Sequence, residues 1–163
     1  VSGDTGMKKI DMGPVFSMLK EEQVLARMKF RAQGGSMVPL IRGGDIVTVV
    51  PADAANLHVG DIVIYHTGDL AIVHRMLYQY MRGGSTWLLT KGDALPVPDK
   101  PVHAGRVIGR VVSVERMGRR LDFDRPVMRA LSLIIAMISP AAGRYVPSAR
   151  RLKRILGKLG FFQ

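Results

Sequence analysis

Ser36 follows Gly34 and Gly35 and precedes Met37-Val38-Pro39. Two glycines leave room for a substrate backbone beside the hydroxyl, and Pro39 stiffens the exit from the segment. A serine hydroxyl becomes a useful nucleophile when a positioned base takes its proton. His74, in the apolar run Ile72-Val73-His74-Arg75-Met76, offers a neutral imidazole near pH 7 for that task, whereas the neighbouring Arg75 stays protonated. Asp93 and Asp99 lie six residues apart on the proline-rich stretch after Leu89-Thr90, and either can orient an imidazole as the third member of a triad does. Each residue alone has a plainer reading: a turn serine, a hydrogen-bonded structural histidine, two solvated acids. Taken together in chain order they supply a nucleophile, a base and an orienting carboxylate.

The elements that must position these groups are mostly strands. From Lys29 to Phe123 the chain runs in short β-branched segments broken by Gly, Asp and Pro. The pattern predicts strands over Ile46–Val50, Ile62–Tyr65, Ala71–Tyr78, Thr86–Thr90 and Val107–Val114. Gly83-Gly84 predicts a tight hairpin, because two-residue hairpin turns need positive φ. The tetrapeptide Gly-Asp-Ile-Val occurs at Gly44–Val47 and again at Gly60–Val63, a turn feeding a strand in both places. On either side the pattern turns helical. Residues 14–28 read as a helix with Pro14 near its start. Val127–Ile138 reads as a second, and after Pro147-Ser148 the residues Leu152, Ile155, Leu156 and Leu159 mark the apolar stripe of a third. The expected organisation is an N-terminal helical segment (1–28), a β-rich body (29–124) and a basic helical tail (125–163).

Composition narrows the function classes. At 163 residues, 47% hydrophobic and 23% charged, the chain is an ordinary globular length with one core. The net charge is +11, but residues 1–124 hold all the acids and are nearly balanced. The last 39 residues carry eight cations and no acid. Within them Arg150, Arg151, Lys153, Arg154 and Lys158 form one face of the third helix, which suits either an anionic membrane surface or a solvated helix packed on the sheet. No specific nucleic acid is expected: 35 residues before Ser36 are too few for a DNA-reading domain with a cleavable linker, and no basic-aromatic surface is evident. No cysteine is present, which excludes disulfides, thiolate metal sites and a cysteine nucleophile. His58, His66 and His103 share no ligand spacing with acids, so neither a metal nor a cofactor is expected. The longest apolar run, Ala130–Ile138, is too short to span a bilayer, and no export signal follows Lys8 and Lys9. The expectation is a cytoplasmic or peripheral membrane protein.

Four boxes in order carry a family resemblance: Gly35-Ser36-Met37-x-Pro39-x-Ile41-x-x-Gly44-Asp45-x-Val47, Gly60-Asp61-Ile62-Val63-x-Tyr65, Val73-His74-Arg75 and Thr90-Lys91-Gly92-Asp93, closed by Gly105–Val111. Over about half its length the chain resembles the signal peptidase I family, within the fold group that includes the self-cleaving repressor peptidases. The resemblance implies a mainly β, partly barrel-like catalytic body that binds an extended polypeptide by strand addition and cleaves it after small residues. It further implies the histidine subclass, with Ser36 as nucleophile, His74 as general base, Asp93 or Asp99 as its partner, and Gly34, Gly35, Met37 and Pro39 beside the substrate. Lys91 is the less favoured base, since it lies away from the family's usual lysine position. Gly34 departs from the family's frequent hydroxyl residue two before the nucleophile, leaving backbone N–H groups to hold an oxyanion. The competing expectation is a catalytically silent relative that keeps the peptide groove as a binding module.

Overall fold

The computed structural model describes residues 27–68 and 70–139; the expected helix over 14–28, apart from its last two residues, and the cationic stripe over 150–158 lie outside them. Eight strands form one antiparallel sheet: β1 (Met28–Arg31), β2 (Ile46–Pro51), β3 (Ile62–Thr67), β4 (Leu70–Arg82), β5 (Ser85–Lys91), β6 (Val102–His103), β7 (Val107–Arg116) and β8 (Arg119–Asp122). Their order is β1-β2-β7-β3-β4-β5-β6, with β8 paired to β7. One helix follows, α1 (Pro126–Ile138).

All five predicted strands are present. β4 and β5 run further than expected and close on Gly83-Gly84, where Arg82 opposes Ser85 and the two glycines have φ of 58° and 75°. Positive φ at both central positions matches the right-handed twist of the flanking strands, so the hairpin sets the β4–β5 register. Met28 corrects the helical reading of 14–28 at its end. It lies in β1, opposite Val49, because its alternation with Phe30 places both against the core.

β3 explains why the sheet needs two cores. Ile62 and Ile64 pack into a cluster with Met37, Val47 and Val111, while Val63 and Tyr65, one residue out of phase, pack into another with Met76 and Leu88. A strand buried on both faces reads as a continuous apolar run, as Ile62–Tyr65 does. β2 and β7 border the first core, β4 and β5 the second, and the site lies where the ends of β3, β4 and β5 meet the Ser36 segment.

The repeated Gly-Asp-Ile-Val is the same turn built twice. Gly44 and Gly60 both have φ of 95°, a left-handed value that costs a side chain dearly and glycine little. Asp45 N–H donates to Arg42 O while Asp45 Oδ2 accepts from Arg42 N–H; Asp61 and His58 reproduce both bonds. The second copy also supports α1. A Cβ on Gly60 would sit 2.8 Å from Leu133 N, so only glycine lets the helix lie this close. Ala136 on the buried face of α1 packs on Leu77 of β4.

Candidate active site

Ser36 sits in a tight turn between β1 and β2. Val38 N–H donates to Gly35 O and Ile41 N–H to Met37 O, and the buried side chains of Met37 and Ile41 pin the turn to the first core. Gly34 has φ of 75°, which explains why no hydroxyl residue stands there: a side chain at that backbone conformation is strained. Gly34, Gly35 and Pro39 are exposed beside Ser36. Met37 differs from them, since it is buried and its side chain belongs to the first core.

The Ser36 turn is docked on the loop after β5. Ala94 N–H donates to Ser36 O at 2.9 Å. Gly92 makes the approach possible, since a Cβ there would fall 2.7 Å from the same oxygen. Further along this loop Asp99 N–H donates to Thr90 O at 2.8 Å, folding the loop back over the end of β5. One loop therefore carries both the backbone seat of Ser36 and the carboxylate of Asp99.

His74 lies on β4, registered with Val63 of β3, and is buried. Its Nδ1 is 2.7 Å from Asp99 Oδ2. An ionised carboxylate only accepts, so this bond assigns the proton to Nδ1 and leaves the Nε2 lone pair for a substrate-side proton. Asp99 Oδ2 also accepts from Thr90 Oγ1 at 2.7 Å and from Tyr65 Oη at 3.1 Å. Burial pushes the Asp99 carboxyl up, but the hydrogen bonds from His74, Thr90 and Tyr65 outweigh it and hold the group below its ordinary value. The phenol of Tyr65 is driven far upward, mainly by burial, so it remains a donor. Between Ser36 and His74 the side chains make no hydrogen bond among the described residues; such bonds are often long in a resting enzyme and tighten on the substrate.

The two acids left open by spacing alone take different partners. Asp99 meets His74, and Asp93 meets Arg75, which donates through Nε at 2.8 Å to Oδ1 and through Nη2 at 2.7 Å to Oδ2. Arg75 is 1% exposed and its remaining bond, from Nη1, goes to Gly60 O at 2.8 Å. Asp93 thus compensates a buried cation and ties the loop to β4, a role that bidentate guanidinium–carboxylate geometry serves well. Lys91, opposite Arg75, is buried with Nζ on Gly92 O at 3.0 Å, and desolvation lowers its ammonium below the ordinary value. Sequence reasoning placed Tyr65, Thr90, Arg75 and Asp93 in the family boxes but missed the bonds of Tyr65 and Thr90 to Asp99 and the Arg75–Asp93 pair. The signal for the two hydroxyls was their place inside otherwise apolar strand runs, Ile62–Tyr65 and Trp87–Thr90, where a buried hydroxyl needs a partner.

The Peptidase S24-like family profile matches residues 17–112. Over 72 residues the chain is 39% identical to the signal peptidase complex catalytic subunit SEC11 of Candida albicans (strain WO-1), an alignment covering 43% of this chain and 43% of that protein. The SEC11 subunits of Scheffersomyces stipitis and Clavispora lusitaniae match over the same length at 39% and 36% identity. The chain therefore aligns with less than half the length of the curated relatives it matches.

Proposed function

Because the chain belongs to the Peptidase S24-like family, we propose that it is a serine endopeptidase of the signal peptidase type, cleaving an extended polypeptide through Ser36, His74 and Asp99. The observation that carries the reading is the His74 Nδ1–Asp99 Oδ2 bond, made by the same loop that seats Ser36. Ser36 Oγ attacks the scissile carbonyl as His74 Nε2 takes its proton, and the tetrahedral oxyanion is held by backbone N–H groups of the Ser36 turn. His74 then returns the proton to the leaving amine, and the acyl-enzyme remains on Ser36. Water repeats the cycle, giving a proton to His74 as its oxygen attacks the acyl carbon, and His74 returns that proton to Ser36 Oγ as the acyl–oxygen bond breaks and the acid leaves. Asp99 stays ionised throughout and stabilises the imidazolium. An oxyanion hole without a side-chain donor is a weaker one, since a single donor is worth about 10²–10³ in rate.

The substrate is read as a polypeptide with small residues at the first and third positions before the cut. The run of cations Arg150, Arg151, Lys153, Arg154 and Lys158 in the sequence is read as a contact to anionic membrane. Cleavage of a peptide library of that design by the wild type, and its loss in both Ser36→Ala and His74→Ala, is the expected result. Anionic vesicles should bind the chain and release it at high salt. Absence of cleavage by the wild type with and without vesicles would favour the silent binding module instead.

A further inference from the structure

Asp99 is a half-buried carboxylate with no arginine or lysine on it among the described residues. The two nearby cations are committed elsewhere, Arg75 to Asp93 and Gly60 O, and Lys91 to Gly92 O. Its compensation comes from neutral hydroxyls. Thr90 Oγ1 at 2.7 Å and Tyr65 Oη at 3.1 Å converge with His74 Nδ1 on a single oxygen, Oδ2. Thr90 Oγ1 is also 3.4 Å from Tyr65 Oη. Each hydroxyl has one proton, and the short bond to Asp99 uses that of Thr90, so Tyr65 has its own proton for the same carboxylate. Thr90 is fully buried and Tyr65 nearly so, on β5 and β3, the two strands that pair with β4, the strand of His74, on either side.

We infer that Tyr65 and Thr90 are positioning residues that clamp the Asp99 carboxylate and thereby hold His74 in its Nδ1–H tautomer, an inference that rests on reading His74 as the general base. The chemistry favours hydroxyls over a cation here. A lysine or arginine on Asp99 would neutralise the charge that the imidazolium needs during proton transfer, whereas two hydroxyls fix the oxygen in space and leave its full charge in place. Rotation of the Asp99 side chain breaks three bonds at once. Without the clamp the carboxylate can swing off Nδ1, and the imidazole can populate the tautomer whose proton sits on Nε2, which cannot accept from serine.

The test is 15N NMR of histidine-labelled full chain at neutral pH, with the His74 signals identified by their loss in His74→Ala. Wild type should show one tautomer, with a slowly exchanging Nδ1–H. Thr90→Val and Tyr65→Phe should each mix the tautomers and speed Nδ1–H exchange about tenfold or more, on the scale of one lost charge-assisted hydrogen bond. Thr90→Ser, which keeps the hydroxyl, should restore the wild-type spectrum. Tyr65→Phe keeps its ring in the core and carries the comparison if Thr90→Val does not fold. A folded Thr90→Val/Tyr65→Phe double variant with the wild-type tautomer and exchange rate would overturn the inference. Kinetics separate it from the reading beneath it: lowered kcat at constant KM in these variants supports both. A locked tautomer in a wild type that cleaves nothing supports the clamp and defeats the peptidase.

Discussion

At the scale of single residues the two acids of the post-β5 loop make opposite predictions. Asp99→Asn replaces an acceptor that dictates the imidazole tautomer, and triad precedents place the loss at about 10⁴ in kcat with the fold intact. Asp93→Asn leaves the Arg75 guanidinium buried against a neutral partner, which costs about 3–5 kcal/mol of stability, read as a lower melting temperature. The acid limb of stability follows from Asp99 and Asp45. The hydrogen bonds from Arg116 hold Asp45 below its ordinary value against the opposing effect of burial, and Asp99 is lowered as described. A carboxyl lowered on folding stabilises the protein above its unfolded value of about 3.9 and ceases to do so as pH falls through the lower folded value. The melting temperature should therefore be level from pH 7 to 5 and drop below about pH 4, with a smaller drop in Asp45→Asn. Ser36, His74 and the pair of acids were legible because each stands in a local box with distinctive neighbours. Which acid meets His74 was not, because six residues of loop do not reveal which way the chain folds back; the Asp99 N–H bond to Thr90 O holds Asp99 over the end of β5, where it contacts His74.

At the scale of elements the site depends on how closely the Ser36 turn can rest on the post-β5 loop. Gly92→Ala would place a methyl 2.7 Å from Ser36 O and against Leu95. The turn must then shift by several tenths of an ångström while the strands stay paired. With Ser36 as the proposed nucleophile, a displacement of that kind is expected to lower kcat, approaching about 10²-fold at a full ångström, with a melting temperature close to wild type, checked by peptide cleavage beside thermal unfolding. The long strands were legible through their apolar runs, and the hairpin through its glycine pair. β1, β6 and β8 were not, for physical reasons visible in their make-up. β8 is Arg119-Arg120-Leu121-Asp122, exposed over its first two residues and paired with β7 alone. β6 has two residues. Pairing with a long neighbour, not intrinsic propensity, makes these strands.

For the whole molecule, the charge asymmetry and the architecture divide along the same line. The nearly neutral body forms the sheet and the candidate site, and the acid-free stretch of the sequence begins at Arg125 with α1, where Arg129 still reaches back to Asp124 at 3.9 Å. α1 lies on the second Gly-Asp turn, with Gly60 under Leu133. Among the described residues no helix is long and apolar enough to cross a membrane.

The side chain of Arg75 gives that arrangement a dynamic meaning. It grips the carbonyl of the turn under α1 with one nitrogen and the site loop with two others, so helix, turn and loop share one anchor. Such a set should open as one cooperative unit, and hydrogen exchange can see it. Amide protection at Gly60, Met76 and Ala94, whose N–H groups are bonded to Met76, Asp61 and Ser36 respectively, should be lost with a common opening free energy. Truncation before Pro126 should lower all three together. Three unrelated opening energies would mean that the helix end of the molecule and its Ser36 end breathe independently.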